Sequence, residues 1–363
     1  MKKLFVIFAV IGMVGMFAAT TMAAEWAFYG SARMATWYVT EDKKGDEEGD
    51  LTWAEQGNSR IGARVKVSDT LSGRFEYGES PNQRLLYGDW NFGAGVMRVG
   101  QAYAPGNIFI SNKVFGDDGN NLNFGGLYTG RQEEISFKFA NMFEIAFLEP
   151  VVAYDAALAT AVGAADADVN VDVTLPKIEA AVTYGQENWW VQGSLGYQTY
   201  TLKDEDIGAT GVDADVDITS MVYGVGGMFN MAGAYVGAVV MGGTNASLYG
   251  LFMETAGSPT PKFNNNGNVT DTEDTQTFGW NIVLGYNIND MLKIEGGYGW
   301  IASDNDDYEE ADAAQSFYVN LPITLAPGVS ITPEFGVEDG MKDSDDADEG
   351  SDTYFGAKWM INF

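Results

Sequence analysis

The chain of 363 residues contains no cysteine and no histidine. Without cysteine there is neither a disulfide framework nor a thiolate metal site. Without histidine the Ser-His and Asp-His machinery of hydrolases cannot be assembled. Positive charge is scarce as well. Only 20 Lys and Arg stand against 51 Asp and Glu, giving a formal charge of −31. Such a surface repels nucleic acid, whose phosphates need clustered cations. A pair of carboxylates could still act as glycosidases use them, but no pair stands out in a closed pocket, and the chain reads as a non-enzyme.

What is present begins at the amino terminus, MKKLFVIFAVIGMVGMFAATTMAAEW. Lys2 and Lys3 precede an apolar run, Leu4 to Ala19, that is too short for a comfortable membrane span. Small residues follow at Thr21-Met22-Ala23 and Ala24. This is the pattern of a secretory signal peptide over 1–23, with cleavage after Ala23 or Ala24 fitting equally well, leaving 24–363 as one domain. The alternative is a retained anchor helix. Glycine (45 residues) and aromatics (13%) are plentiful, which suits many short strands joined by tight turns.

Alternation with period two recurs along that domain. Ile61, Ala63, Val65 and Val67 oppose Arg60, Gly62, Arg64, Lys66 and Ser68. Leu71, Phe75 and Tyr77 oppose Ser72, Arg74 and Glu76; Trp280, Ile282, Leu284 and Tyr286 oppose Gly279, Asn281 and Gly285. Each is a strand with one apolar and one polar face. Short turns near Asp69, Gly93, Asn141, Glu187, Met231, Asn289 and Pro327 alternate with long or polar loops. These lie near 41–50, 79–83, 105–130, 153–169, 203–214, 245–275, 303–313 and 339–351. Fifteen connections imply sixteen strands, short turns at one end and long loops at the other, the pattern of an antiparallel transmembrane β-barrel. The segment 168–185 contains Pro176 and changes apolar parity there, and it reads as one strand with a bulge at the proline. A soluble β-sandwich also alternates. Aromatics at the ends of the apolar faces (Tyr77, Trp90, Tyr286, Trp359) and ionised groups in the middle of the polar ones (Arg64, Glu134, Glu334) favour the barrel.

The stretch 105–130, PGNIFISNKVFGDDGNNLNFGGLYTG, breaks this regularity. A loop so long inside a compact protein is functional or disordered, and its Phe, Ile, Leu and Tyr need a surface to pack on. The expectation is that it folds into the bore.

The last segment, Thr353 to Phe363, carries Phe355, Ala357, Trp359 and Ile361 at every second place before the terminal Phe363. It resembles the C-terminal signature of bacterial outer-membrane proteins that the barrel-assembly machinery recognises. Glu25-Trp-Ala-Phe-Tyr-Gly-Ser-Ala-Arg33 is similar to the first strand of the general Gram-negative porins, and Asn123-Phe-Gly-Gly126 to an element near the end of their third loop. The resemblance implies a homotrimeric sixteen-stranded porin of the outer membrane, contacting lipid and lipopolysaccharide, with the first strands at the trimer contact. The third loop would be the constriction. Passive diffusion of small hydrophilic solutes and ions is the implied activity, with no cofactor. Rival readings are a substrate-specific porin and a plugged structural barrel.

All seven arginines lie between Arg33 and Arg131. Strand parity turns Arg33, Arg60, Arg64, Arg74 and Arg98 toward the lumen with Lys66 beside them, while Arg84 has the wrong parity and is expected at a rim. Asp117 and Asp118 of the long loop are natural counter-charges, and the resemblance implies a constriction with a transverse field. The alternative is that lumen acids such as Glu76, Asp89 and Glu134 simply pair with the arginines to stabilise the wall. The acidic mouth and the basic stripe oppose each other, and the expectation is a weak preference for cations. The acid runs 41–48, 304–310 and 343–349 could take Ca²⁺ or Mg²⁺ or bridge through them to lipopolysaccharide phosphates. They lack the EF-hand spacing, and such runs are commonly solvated faces.

Overall fold

The computed structural model describes residues 24–43, 46–80, 82–152, 171–203, 215–265 and 269–363. The signal peptide expected over 1–23, the loop expected at 153–169, all but the first residue of the loop expected at 203–214, and the tip of the first loop lie outside the described residues.

One sheet of nineteen hydrogen-bonded segments dominates the chain. Three pairs of segments are collinear, which makes sixteen strands. In order they are β1 (Glu25–Lys43), β2 (Asp46–Glu55 resuming as Arg60–Lys66), β3 (Leu71–Gly78), β4 (Gln83–Asn91), β5 (Val96–Tyr103), β6 (Arg131–Phe139), β7 (Phe143–Leu148) and β8 (Val171–Asp172 resuming as Lys177–Gln186). There follow β9 (Trp189–Leu202), β10 (Val216–Met231), β11 (Ala234–Thr244), β12 (Gln276–Asn287), β13 (Lys293–Asp304), β14 (Asp312–Asn320 resuming as Ile323–Ala326), β15 (Val329–Asp339) and β16 (Ser351–Asn362). Each strand pairs antiparallel with the next, and β16 returns to β1 in the register Ser31↔Asn362 to Asp42↔Ser351. The barrel is therefore closed, with no free edge to satisfy in lipid. Phe363 completes the seam, since Gly30 N donates to its carbonyl at 2.7 Å and its own N–H donates to Gly30 O at 3.0 Å. Among the described residues no helix is long and apolar enough to cross a membrane.

The expected break at Pro176 is present. Between the pairs Asp172↔Thr201 and Ile178↔Tyr197, residues 173–177 face only 198–200, a bulge that places the proline where no ladder N–H is needed. A second bulge, at 56–59 in β2, slips its pairing with β1 by two residues. A third lies between Glu76 and Tyr77 against β4.

The apolar faces point outward. Phe28, Ile61, Leu284, Phe355 and Trp359 are exposed, while their polar neighbours Glu76, Asn281, Glu295 and Glu334 are buried. On β10 to β14 the alternation fades because both faces are apolar. There the buried faces carry Val222, Val239, Met241, Val283 and Ile301, packed on Ile108, Ile110, Phe124 and Leu127 of the long loop. The 245–275 connection joins the same cluster through Ala246, Tyr249 and Leu251, the first two on a short helix α1 (Ala246–Tyr249). It also carries a separate hairpin, Thr260–Phe263 with Val269–Glu273.

Candidate functional site

Three glutamates, each isolated among small or apolar neighbours on its strand, hold the long loop. Glu179 of β8 accepts from Gly106 N at 2.5 Å and from Thr129 Oγ1 at 3.1 Å. Glu295 of β13 takes Asn112 through N and Nδ2, both at 2.6 Å, and takes Tyr318 Oη at 2.5 Å and Tyr235 Oη at 2.6 Å. Glu334 of β15 accepts from Val114 N at 2.7 Å and Phe115 N at 2.9 Å. A carboxylate accepts only, and it is stable when buried if N–H and O–H donors converge on it. Asn281 and Asn320 add side-chain donors to the loop carbonyls of Asn121 and Asn112, both at 2.9 Å. Lys113, almost fully buried, pairs with Glu338.

The Phe-Gly-Gly element has a steric reason. Gly125 has φ +80° and lies so close to the wall that a Cβ there would strike the backbone of Trp280 and Trp300. Gly299 is bare for the reciprocal reason, because a Cβ would strike Phe124 O. The loop main chain rests on strand main chain.

In the middle of the loop, Asp117 and Asp118 stand in the left-handed region with φ 57° and 59°. Asp118 pairs with Arg33 of β1 and, at 2.5 Å, with Lys358 of β16. Asp117 enters no ion pair among the described residues; its carbonyl accepts from Asn58 Nδ2 in the β2 bulge. The bulge thus lies where the loop meets the wall, as bulges beside functional sites commonly do.

Beside Asp118 is a cavity of about 270 Å³ lined by Arg33, Arg60, Arg84 and Lys358 on the wall and by Asn112, Asp118 and Asn120 on the loop, with Asn58, Tyr103 and Met360. Four cations face one carboxylate there. The adjoining Glu76 accepts Arg84 Nε at 2.8 Å, Arg74 Nη2 at 2.9 Å, Tyr29 Oη at 2.8 Å and, more loosely, Arg60 Nη1 at 3.4 Å. One carboxylate shared by three guanidiniums leaves the wall positive. A larger cavity of about 400 Å³ meets Lys358 from the side of the short turns and carries Tyr235, Lys293 and Ser330.

The expected stripe is therefore divided. Arg33, Arg60 and Asp118 come together, and Arg74 joins Arg60 through Glu76. Arg98 makes a two-pronged pair with Asp89, at 2.8 and 3.0 Å, 4.1 Å above the Tyr87 ring. Arg64 enters no ion pair among the described residues and lies 5.4 Å from the Tyr29 ring. Lys66 pairs with Asp69 at the short turn, 2.9 Å away and apart from the others. Arg84 is a correction. It is not at a rim but buried on Glu76, because the bulge between Glu76 and Tyr77 adds a residue to β4 and turns it inward. Lys358 belongs with Arg33, Arg60 and Asp118 although the expected set omits it; its parity, opposite to that of Ala357 and Trp359 in an alternating strand, is the signal that marks it.

Trp37 is buried against the long loop. It packs edge-on to Phe115 and Tyr354, whose rings stack at 3.8 Å. Among the described residues no group of three or more acidic side chains is arranged to hold a metal ion.

No family model and no curated protein matches the chain. Solved structures do. The outer membrane channel DcaP of Acinetobacter baumannii aligns with TM-score 0.71 at 16% identity, covering 95% of this chain and 99% of that one. OmpT, an outer membrane protein of Vibrio cholerae solved in a trimer form, aligns with TM-score 0.59 at 16% identity over 94% of this chain and 100% of that one. An anion-selective porin from Comamonas acidovorans gives 0.58 at 14% identity over 94% and 100%. The chain has the sixteen-stranded fold of the outer-membrane porins.

Proposed function

We propose that this chain is a porin of the bacterial outer membrane, a water-filled channel through which small hydrophilic solutes and ions diffuse passively. In this reading the loop 105–130 is folded into the bore and forms its constriction, with Arg33, Arg60, Arg84 and Lys358 facing Asn112, Asp118 and Asn120. The observation that carries it is the set of buried glutamates, Glu179, Glu295 and Glu334, whose partners are main-chain atoms of that loop. Their strands expose apolar faces on the other side, so the loop belongs on the inner side. Selectivity then follows from bore width and from the charge at the narrowest level.

The surplus of cations at the constriction favours anions, against the weak cation preference expected from composition. The acidic loops still concentrate cations at the outer mouth. The apolar cluster along β10 to β14 speaks for the second reading, a plugged barrel, but the cavity beside Asp118 stays open on the arginine side and a second one adjoins Lys358. A homotrimer is supported by the trimer form of a barrel with this fold, with β1 and β2 (exposed Phe28, Leu51, Trp53) as its contact. The Phe363 strand would address the chain to the barrel-assembly machinery. Liposome swelling tests the channel: folded protein should admit a monosaccharide and exclude a large dextran, and failure to admit the monosaccharide contradicts it.

A further inference from the structure

We propose that Tyr103, Phe109, Tyr128 and Phe252, together with Arg131, form a binding subsite for planar aromatic carboxylates beside the constriction. The proposal rests on the channel reading and names the class of solute the channel favours.

Four rings from three parts of the chain converge here. Tyr103 ends β5, Phe109 and Tyr128 lie near the two ends of the long loop, and Phe252 comes from the 245–275 connection. Ring centroids are 5.7 Å apart for Tyr103 and Phe109, 5.6 Å for Phe109 and Tyr128, and 6.2 Å for Tyr128 and Phe252, with each of these pairs edge to face. Main-chain bonds fix their spacing. Ile108 N donates to Leu127 O, and Phe252 N donates to Tyr128 O, both at 2.9 Å.

Phe109 and Phe252 are 42% and 50% exposed, yet their sequence neighbours Ile108, Ile110 and Leu251 are buried in the cluster under the loop. They are not part of the lipid-facing surface of the strands. Rings held apart in edge-to-face array and left open on one side offer both faces and edges to a further aromatic ring.

The charge beside them sets the sign of the solute. The Arg131 guanidinium lies 5.6 Å from the Tyr103 ring and enters no ion pair among the described residues. Tyr103 also lines the cavity that holds Arg33, Arg60 and Arg84. The same rings without arginine would suit an organic cation. With a guanidinium at their edge that has no acidic partner among the described residues, they suit a ring that carries a carboxylate, which can accept two parallel N–H bonds. A saccharide fits less well, because the rings present no flat shelf fringed by paired donors and acceptors.

The test uses the full mature chain folded in detergent, with benzoate as probe in equilibrium titrations. Cyclohexanecarboxylate keeps the charge and removes the aromatic ring; benzyl alcohol keeps the ring and removes the charge. Benzoate should bind about tenfold more tightly than either, each comparison removing one aromatic or one charged contact. Phe109→Leu, Phe252→Leu and Arg131→Gln should each weaken benzoate by a similar factor, with heat-dependent gel mobility confirming that each variant is folded. Equal binding of benzoate and cyclohexanecarboxylate by the wild type overturns the proposal. Conductance in potassium chloride separates the two readings. Ion flow without discrimination among the probes sinks the subsite alone, whereas discrimination without ion flow supports the subsite and sinks the channel.

Discussion

Lys358, in the strand that closes the barrel, donates to Asp118 of the long loop at 2.5 Å, and Arg33 of the adjoining strand shares that carboxylate. Two cations on one anion, with Arg60 and Arg84 in the same cavity, make that cavity positive. Replacing Lys358 by Gln removes one unit of that charge. A unit charge at 4 Å is worth about 1 kcal/mol even in water, or about fivefold in a population. Lys358→Gln should therefore lower the anion-to-cation permeability ratio by up to about fivefold, read as a shift of reversal potential in a salt gradient.

Glu334 receives four donors, from Val114 N, Phe115 N, Asn320 Nδ2 and Tyr354 Oη. Glutamine has a single acceptor oxygen and would turn an amide toward some of these donors. The cost of losing charge-assisted bonds is about 2–3 kcal/mol. Glu334→Gln should loosen the loop, and trypsin should then cleave after Lys113, which is buried in the wild type. Resistance equal to the wild type would mean the glutamate is not what holds the loop.

Gly125 and Gly299 let two main chains touch, and a methyl group on either would collide with backbone that cannot rotate away. Gly299→Ala changes only the wall, so its effect on the loop is a clean readout. The variant should fold with a destabilisation of about 1–3 kcal/mol, the range for overpacking, and its conductance should become noisy. Currents as quiet in the variant as in the wild type would argue against close packing of the loop on β12 and β13.

Much of this was legible in the sequence, for physical reasons. The strand count followed from alternating short and long connections, because a closed barrel in lipid must satisfy every edge. The long loop stood out by its failure to alternate. The strands β10 to β14 were harder to read, since residues such as Val222 and Val239 face the loop rather than water. Arg84 was misread because a bulge inverts parity and leaves no mark in composition. Asp118 could be suspected as a counter-charge, but its sharing between Arg33 and Lys358 joins the two ends of the chain and exists only once the barrel closes. The aromatic cluster was invisible for the same reason, with Phe252 far from Tyr103 in sequence.

The two opposing fields should separate with ionic strength. The acidic loops 304–310 and 343–349 are largely exposed and are screened when the Debye length falls from about 10 Å at 0.1 M to about 3 Å at 1 M. The charges around Asp118 are more enclosed and are screened less. Anion preference, measured as reversal potential at a constant salt ratio, should grow as total salt rises. A preference that moves toward cations would place the controlling charge elsewhere.

The most direct measurement is single-channel recording of the folded, unboiled wild type in a planar bilayer. An open anion-preferring porin gives discrete steps whose conductance scales with salt, grouped in threes if the trimer persists, and a reversal potential on the anion side at 1 M. Silence from protein whose fold is verified by heat-dependent gel mobility would contradict it and make the barrel a plugged one.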